Sequence, residues 1–546
     1  MSEVLELNYQ LAELPSAQHR AGLAGLVLMV RELQLKSWFE ERENAVIEIE
    51  EGEYSATLRL NLEGLKALFD LTYQSFEEER YTTTKIKKYN RFEEVEVHNG
   101  KGKTKTEKRY YYSVVIPYGA FLAKWDNSSE DESQGLWIKL WRDMLWNIIR
   151  GIPATRNPYK YRCDGKTYSK DAESVWKDLN TPEKETGQSG NYFLGAMASN
   201  ADNVATKDII RYQFLLHFWV FVAQVYKPAT LNKDGKREFS SYALVIPDVS
   251  HLVDFCDEFK EVIQNRNNQK FGYLPLEAII DLPEEGALDV LRLIRERIQK
   301  KVGGQTLEDL ILGAEVIHAE KSGNAIKIQS ISYVTPIMEQ IDRYTQIQDN
   351  YWCPWFRKQR LLNLLNSQPQ SNDLDAPLGE IPAWIGFDAL LTRIPRKWLE
   401  DQYFSHDARI LFEQEGGLKM KSEIRGDAEI VYRICQHYVL SKLESKHELN
   451  WQKCKGQPNK EREYNDKKYK VANEAFLAVR SRNEDKAFID YFASTLYPYL
   501  RKEEFPKFAD KLFNHADEIR SLTLLALSSQ FPSTKKSKQE TEKEVA

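Results

Sequence analysis

The sequence predicts an α+β protein of several domains, with a mixed α/β N-terminal portion that carries a basic β-hairpin and a C-terminal antiparallel helical bundle. Between residues 45 and 117, short segments alternate polar and apolar residues, which is typical of strands. From residue 427 onward, apolar residues instead recur with helical spacing. A polar stretch with prolines, residues 366–377, separates the two patterns and is typical of a linker.

These patterns predict four regions along the 546-residue chain, which is long enough for more than one hydrophobic core. The final segment has no apolar periodicity, and we expect it to be disordered. The predicted limits are 1–366 for the α/β portion, 367–380 for the linker, 381–532 for the bundle and 533–546 for the tail.

An N-terminal helix is predicted to start near Pro15 and Ser16, because a serine at this position caps helices well. Gly22 and Gly25 follow three residues apart within this helix. Each glycine costs up to about 1 kcal/mol relative to alanine inside a helix. We therefore expect another part of the backbone to pack closely against both.

The remaining elements of the α/β portion follow from alternation, turns and apolar runs. Asn99-Gly100 and Asp234-Gly235 suit hairpin turns. Predicted strands are Ala45–Glu50, Tyr54–Leu60, the two arms of the hairpin within Tyr81–Glu107, Arg109–Pro117, Tyr242–Pro247 and Ala325–Val334; predicted helices are Leu62–Ser75, Phe214–Tyr226, Leu252–Asn265 and Ala287–Lys300.

After the linker we predict helices and no strand. Short connections between them favour antiparallel neighbours in a bundle. The predicted helices are Asp427–Leu449, Val471–Ser481, Asp485–Leu500, Glu503–Asn514 and Asp517–Gln530.

Composition predicts a soluble cytoplasmic protein. No apolar run reaches the roughly 18 residues that span a membrane, and the acidic N-terminus does not fit a signal peptide. The 5 cysteines are scattered without a CxxC pair, as expected of reduced thiols.

The net charge of −6 hides a strong segregation along the chain. Residues 1–79 hold 6 Lys and Arg against 16 Asp and Glu, whereas residues 80–170 hold 19 against 10. A basic segment inside an acidic chain can bind phosphates locally while the whole protein stays soluble. The alternative is that both regions are ordinary solvated surfaces.

Candidate nucleic-acid contacts lie in three places: the basic hairpin with its preceding arm, an arginine-bearing proline loop, and a glycine-punctuated loop. A two-stranded ribbon fits a DNA groove, and Lys or Arg neutralise phosphates. The residues are Lys85, Lys87, Lys88, Arg91, Lys101, Lys103, Lys105, Lys108 and Arg109; Arg150, Arg156, Lys160 and Arg162; and Gln188, Ser189 and Asn191. Trp352 to Arg360 also combines rings with cations, but an ordinary helix docked by its tryptophans explains this segment equally well.

No cofactor, metal site or catalytic residue is predicted. Cys435, His437, His447 and Cys454 have zinc-ligand residue types, but their spacing fits no usual tetrahedral site. A weak enzyme signal is the segment from Arg211 to His217, which resembles the active-site motif of HEPN ribonucleases. The alternative is a core histidine in an apolar run.

Several segments together resemble one protein family. These are Tyr9–Val30, Arg150–Arg156, Tyr192–Ala196, Asn200–Val204 and Leu215–Trp219. They resemble the large subunit of type I CRISPR surveillance complexes, in the Myxan subtype grouped with type I-B. Similar proteins also occur in CRISPR-associated transposons.

This resemblance implies a non-catalytic subunit of an RNA-guided DNA-targeting complex (Cascade). Such a subunit binds the guide RNA 5′ end, recognises the target-flanking motif (PAM) in duplex DNA, and stabilises the R-loop. The implied partners are guide RNA, double-stranded target DNA, other Cascade subunits, and a downstream nuclease-helicase or transposition proteins. Two alternatives stay open: a HEPN-like ribonuclease that uses Arg211 and His217, and a scaffold without nucleic-acid contact.

The resemblance also implies that the C-terminal part from about residue 420 corresponds to a small subunit, which some of these genes produce by internal translation. Met420 follows Glu415-Gly416-Gly417 by a short interval. The codons for these three residues form a purine-rich stretch like a ribosome-binding site. Internal translation would then give a chain from Met420 to Ala546.

Overall fold

The fold is that of a computed structural model, which describes residues 3–99, 103–131, 134–149, 156–187, 207–266, 278–299, 306–323, 325–367, 382–415, 426–499 and 505–531. The chain divides into two compact units. Unit 1 comprises Met1–Pro228, Ser240–Asn268 and Leu276–Pro336; unit 2 comprises Ala229–Phe239, Gln269–Pro275 and Ile337–Ala546. The predicted α+β multidomain class is confirmed, while the domain limits given above stay predictions.

The strands, except one short pair, belong to unit 1. In chain order they are β1 (Leu5–Gln10), β2 (Ile47–Glu51), β3 (Ser55–Leu60), β4 (Ser75–Thr82), β5 (Arg91–Asn99), β6 (Lys103–Pro117), β7 (Glu185–Gly187), β8 (Lys207–Ile209), β9 (Gln224–Pro228), β10 (Thr230–Leu231), β11 (Arg237–Glu238), β12 (Ser241–Val249), β13 (Ile279–Ile280), β14 (Ile311–Ser322) and β15 (Ala325–Val334).

The helices occur in both units, and short 3-10 or π segments lie between some of them. In chain order the α-helices are α1 (Ala17–Gln34), α2 (Ser37–Glu40), α3 (Leu62–Thr72), α4 (Leu122–Trp125), α5 (Leu136–Asp143), α6 (Arg156–Tyr161), α7 (Lys170–Leu179), α8 (Ile210–Leu215), α9 (Leu252–Asn265), α10 (Glu285–Ile298), α11 (Leu307–Leu310), α12 (Met338–Asn350), α13 (Pro354–Asn366), α14 (Phe387–Arg393), α15 (Phe404–Gln414), α16 (Asp427–His447), α17 (Trp451–Cys454), α18 (Pro458–Arg480), α19 (Asp485–Tyr491), α20 (Phe505–Asn514) and α21 (Ala516–Ser528).

Three sheets of three or more strands build unit 1. The first has the order β1-β3-β2, and the second has the order β4-β6-β5; both are antiparallel. The third has the order β13-β9-β12-β14-β15 and is antiparallel except for the β13–β9 pair. Strands β7 and β8 form a separate short hairpin.

Helix α1 is the central helix of unit 1, and nearly all its residues are buried. Ser16 caps it by accepting a hydrogen bond from the backbone N–H of His19. A Cβ on Gly22 would lie 2.5 Å from the carbonyl oxygen of Leu215, and one on Gly25 would lie 2.2 Å from that of Phe218. Both distances are too short for a real Cβ contact. The predicted close backbone packing at these glycines is therefore confirmed.

The predicted helix Phe214–Tyr226 is wrong. Helix α8 ends at Leu215, a 3-10 turn covers Trp219–Phe221, and β9 begins at Gln224. The run has only two polar residues, His217 and Gln224, and no polar face, so its periodicity cannot distinguish a buried helix from a buried strand. The strands that were not predicted are β1, β4, β7, β8, β9, β13 and β14.

Unit 2 is a helical bundle around α21, which contacts α14, α15, α16, α18, α19 and α20. In the described part of the chain no strand follows Val334, as predicted. Helix α18 begins at Pro458, well before the predicted Val471, and a proline suits the first turn of a helix. No helix among the described residues combines the length and apolarity needed to span a membrane.

Candidate nucleic-acid interface

The basic hairpin is part of the β4-β6-β5 sheet. Strand β4 pairs with the second half of β6, where Thr82 lies opposite Tyr110. Strand β5 pairs with the first half, where Arg91 lies opposite Tyr111 and Asn99 opposite Lys103. Beyond the end of β4, therefore, β5 and β6 continue as a two-stranded ribbon of about 25 Å, at about 3.4 Å per residue.

One face of this ribbon carries Arg91 and Arg109, and both are already paired. Arg91 lies 2.9 Å from Glu79 and also pairs with Glu93. Arg109 donates to Glu107 at 3.1 Å. The hydrogen bond from Arg91 holds the pKa of the Glu79 carboxyl below its ordinary value. The positive charge on this face is thus largely neutralised by glutamates.

The opposite face carries Lys108, whose Nζ lies 3.3 Å from Glu94. Because the strands of the sheet contribute seven glutamates against six Lys and Arg residues, they are not basic as a whole. The pairing of β5 with β6 brings Glu93 opposite Arg109 and Glu94 opposite Lys108. Within residues 80–117, the excess of positive charge therefore comes from the ends of the ribbon.

One such end is the connection between β4 and β5, which crosses beside the middle of β6. Asn90 donates its backbone N–H to the carbonyl of Tyr111 at 2.6 Å. Lys85, Lys87 and Lys88 in this connection are exposed, and no described residue forms an ion pair with them. They form a cluster of cations available to an anionic ligand.

The other end is the hairpin tip. Lys103 and Lys105 lie on β6 at this end, and their side-chain positions are outside the described part of the structure. Lys101 also lies outside the described residues. The sequence places these three lysines within five residues of each other.

The arginine-bearing loop gives a mixed result. Arg156 is exposed, stacks on the ring of Trp146 at 5.2 Å, and donates to its carbonyl. Lys160 is exposed, and Arg150 lies outside the described residues.

Arg162, by contrast, is buried and has a structural role. Its guanidinium donates to Asp70 and to Asp171, each at 2.7 Å. Its exposed fraction of 2% leaves no surface for a nucleic acid. The prediction that Arg162 contacts a nucleic acid is therefore wrong.

The glycine-punctuated loop, with Gln188, Ser189 and Asn191, lies outside the described residues. The two strands on either side of it in the sequence, β7 and β8, are described and pair with each other. Lys207 on β8 pairs with Glu185 on β7 at 2.5 Å. Asp208 is buried and lies 3.0 Å from Nε2 of His19 in α1. This link between the loop base and the first helix was not predicted, since its two residues are remote in the sequence.

The weak enzyme signal does not assemble into a site. Helix α8 ends before His217, which is buried and hydrogen-bonded through Nδ1 to the Tyr73 hydroxyl at 2.6 Å. Burial lowers the pKa of His217 to about 3, so the imidazole is neutral near pH 7. Arg211 lies 2.7 Å from Glu183 and donates to the carbonyl of Asn8. This arrangement fits the alternative of a core histidine.

The residue types that suggested zinc are not gathered into a metal site. Among the described residues, no group of three or more His, Cys, Asp or Glu side chains is placed to hold a metal ion. Cys435 and Cys454 are both buried, and burial raises the pKa of the Cys435 thiol.

Trp352 to Arg360 likewise forms structure within unit 2. Trp355 is buried and donates its indole N–H to the carbonyl of Trp398 at 3.0 Å. Arg360 pairs with Glu415 at 2.7 Å. The structure therefore agrees with the second explanation of this segment, a helix docked by its tryptophans.

Comparison with known proteins identifies the family. The model of the type I-B CRISPR Cas8b N-terminal domain matches residues 46–304, and that of the Cas8b C-terminal domain matches residues 311–530. Together the two matches cover most of the chain. No curated protein matches it.

Proposed function

Because the chain belongs to the type I-B CRISPR Cas8b family and is a Cascade large subunit, we propose that it recognises nucleic acid without catalysing a reaction. In this proposal it binds the guide RNA 5′ end, recognises the PAM in duplex DNA and stabilises the R-loop. Guide pairing reads the target sequence, while the protein reads the short flanking motif. Its partners are guide RNA, target DNA and other Cascade subunits in the cytoplasm, followed by a nuclease-helicase or transposition proteins.

The observation that carries this proposal is the ribbon with lysines at both ends. Lys85, Lys87 and Lys88 are exposed at one end, and the sequence places Lys101, Lys103 and Lys105 at the other. A two-stranded ribbon of this kind can enter a DNA groove while lysines contact the phosphates beside it.

The paired cations between these ends refine the proposal. Removing Arg91 or Arg109 would also leave the glutamates Glu79, Glu93 or Glu107 without their partner. Bringing a phosphate to the middle of the ribbon would require breaking these pairs. We therefore assign the phosphate contacts to the six lysines at the ends and expect Arg91 and Arg109 to hold the sheet together.

A non-enzymatic role is supported by the surroundings of His217 and Arg211. Acting on a scissile phosphate requires a donor or base that the substrate reaches. His217 is neutral and buried against Tyr73, and Arg211 is engaged by Glu183. Incubation of purified protein with RNA and DNA is expected to give no cleavage; cleavage lost in a folded Arg211→Ala variant would instead support a ribonuclease.

The test of nucleic-acid binding is the salt dependence of affinity for duplex DNA that carries a PAM. For each phosphate contact removed, the slope of log K against log salt should fall in magnitude by about 0.9. We expect both a Lys85, Lys87 and Lys88 triple alanine variant and a Lys101, Lys103 and Lys105 triple alanine variant to bind more weakly with a flatter slope.

The matched control removes Lys139, Lys170 and Lys177, which are exposed on α5 and α7. It changes the net charge by the same amount and should keep the wild-type slope. Equal losses in all three variants would mean that net charge alone controls binding. Unchanged affinity and slope in both ribbon variants, measured in the assembled complex, would leave the ribbon as a solvated surface and favour the scaffold alternative.

A further inference from the structure

The ribbon face opposite Arg91 and Arg109 carries a contiguous group of aromatic rings, here called the ribbon aromatic cluster. It consists of Tyr89, Phe92 and Tyr110. Phe92 on β5 lies directly opposite Tyr110 on β6, with ring centroids 5.1 Å apart. Tyr89, just before β5, meets Tyr110 at 5.3 Å. The ring of Tyr110 therefore joins those of Tyr89 and Phe92 into a single surface.

This cluster is open to solvent. Tyr89 is 44% exposed and Phe92 is 41% exposed. Cross-strand pairing of aromatic rings stabilises a two-stranded ribbon and accounts for the contact between Phe92 and Tyr110. It does not account for Tyr89, which lies outside the strands and adds a further exposed ring to the same surface.

Two aromatic rings on the other face each have an arginine guanidinium against them, although Tyr81 stays exposed. The guanidinium of Arg109 lies 4.3 Å from the centroid of Tyr81, and that of Arg91 lies 3.8 Å from the centroid of Tyr111. A ring already covered by a paired guanidinium has less face to offer a ligand. The two faces of one ribbon thus differ in whether a paired guanidinium already occupies one side of their rings.

Charge around the cluster favours an anionic, ring-bearing partner. Lys87 and Lys88 immediately precede Tyr89, are exposed, and pair with no acidic group among the described residues. Lys108 also lies beside the cluster, with its Nζ 5.8 Å from the Phe92 centroid, but it is paired with Glu94, so the free cations are Lys87 and Lys88. Exposed rings beside free cations are the combination with which proteins hold single-stranded nucleic acid, since bases stack on the rings and phosphates meet the cations.

We propose that the ribbon aromatic cluster stacks unpaired bases of a DNA strand. This inference rests on the proposed function, which brings duplex DNA to the same ribbon through its lysines. The bases would come from a strand that is unpaired beside the duplex, with its phosphates toward Lys87 and Lys88. Stacking on rings tolerates any base, so this contact would contribute affinity rather than sequence preference.

The test compares three DNA probes with the full-length chain: a PAM-bearing duplex, the same duplex with a short unpaired extension, and that duplex with abasic sites in the extension. The extension should tighten binding by about tenfold or more, as expected when bases stack on rings. The gain should disappear with abasic sites and in a Tyr89→Leu/Phe92→Leu variant. 2-Aminopurine in the extension should be quenched on binding by wild-type protein and not by the variant.

Tyr81→Leu is the matched control, because it removes an exposed ring from the opposite face and should keep the full gain. If the double variant does not fold, Tyr89→Leu alone decides, since Tyr89 lies in the connection outside β4 and β5. An unchanged gain in the ring variants, or an equal loss in Tyr81→Leu, would overturn the inference. A fourth probe carries an RNA extension in place of the DNA extension, and tighter binding of this RNA extension would also overturn the inference. Absence of wild-type binding to the plain duplex would count against the proposed function instead.

Discussion

Asp407 in unit 2 is predicted to make the stability of this unit depend on pH. It is fully buried on α15 and accepts hydrogen bonds from the backbone N–H groups of Trp352 at 2.9 Å and Cys353 at 2.6 Å. It thereby holds the two residues that precede α13. Burial raises the pKa of Asp407 from 3.8 to about 6, although His406 and these N–H groups act in the opposite direction.

The direction of this pH dependence follows from the number of protons that the folded and unfolded states bind. A raised pKa means that between about pH 4 and 6 the folded state holds a proton that the unfolded state releases. The contribution of Asp407 to the free energy of unfolding is therefore full below the unfolded pKa and falls as pH rises through the folded pKa. A rise from 3.8 to about 6 corresponds to about 3 kcal/mol, at about 1.36 kcal/mol per tenfold change in proton affinity.

The perturbation is Asp407→Asn, which keeps an oxygen for the two N–H groups and cannot ionise. Relative to wild type, this variant should gain about 3 kcal/mol between pH 4 and 7. The measurement is urea unfolding of both proteins across this range, since their difference cancels the other titrating groups. Asp466→Asn, on the exposed side of α18, controls for the loss of one carboxylate. A difference between Asp407→Asn and wild type that does not change with pH would refute the reasoning.

Two further predictions concern the first helix and the gene. Gly25→Ala places a Cβ 2.2 Å from the Phe218 carbonyl and should lower the free energy of unfolding by about 1–3 kcal/mol. Gly187→Ala, where a Cβ meets no atom within 4 Å, should change thermal unfolding little, and equal effects would contradict the packing argument. Expression of the native gene should yield a second chain from Met420 to Ala546, 127 residues long, detected by mass spectrometry of the complex. Recoding the Gly416 and Gly417 codons should remove it, and its absence from an intact complex would contradict the prediction.

Local signals were enough for many of the elements, though not for most of them. Asn99-Gly100 and the alternation around it predicted the hairpin that the structure has as β5 and β6. Gly22 and Gly25 pointed to a close backbone contact, because glycines inside a helix need such a reason. The run Phe214–Tyr226 failed because its apolar residues lack a polar face that would reveal a period.

The candidate interface was harder to predict than the fold. The pairing of Glu93 with Arg109 and of Glu94 with Lys108 could have been found by folding the predicted hairpin about its turn and comparing opposite positions. No comparable signal existed for Arg162, because its partners Asp70 and Asp171 become neighbours only in the tertiary structure. A charged residue outside such a local pairing therefore gives no information in the sequence about whether its charge is free.

The self-neutralised middle of the ribbon has a consequence for target search in the proposed function. Nonspecific affinity for DNA comes mainly from counterions that free cations displace from the phosphates. Glutamates pair with Arg91, Arg109 and Lys108. These three cations therefore displace few counterions from the DNA. A subunit built this way dwells briefly on each stretch of duplex that lacks the right motif, so it samples more sites in a given time before it commits to one.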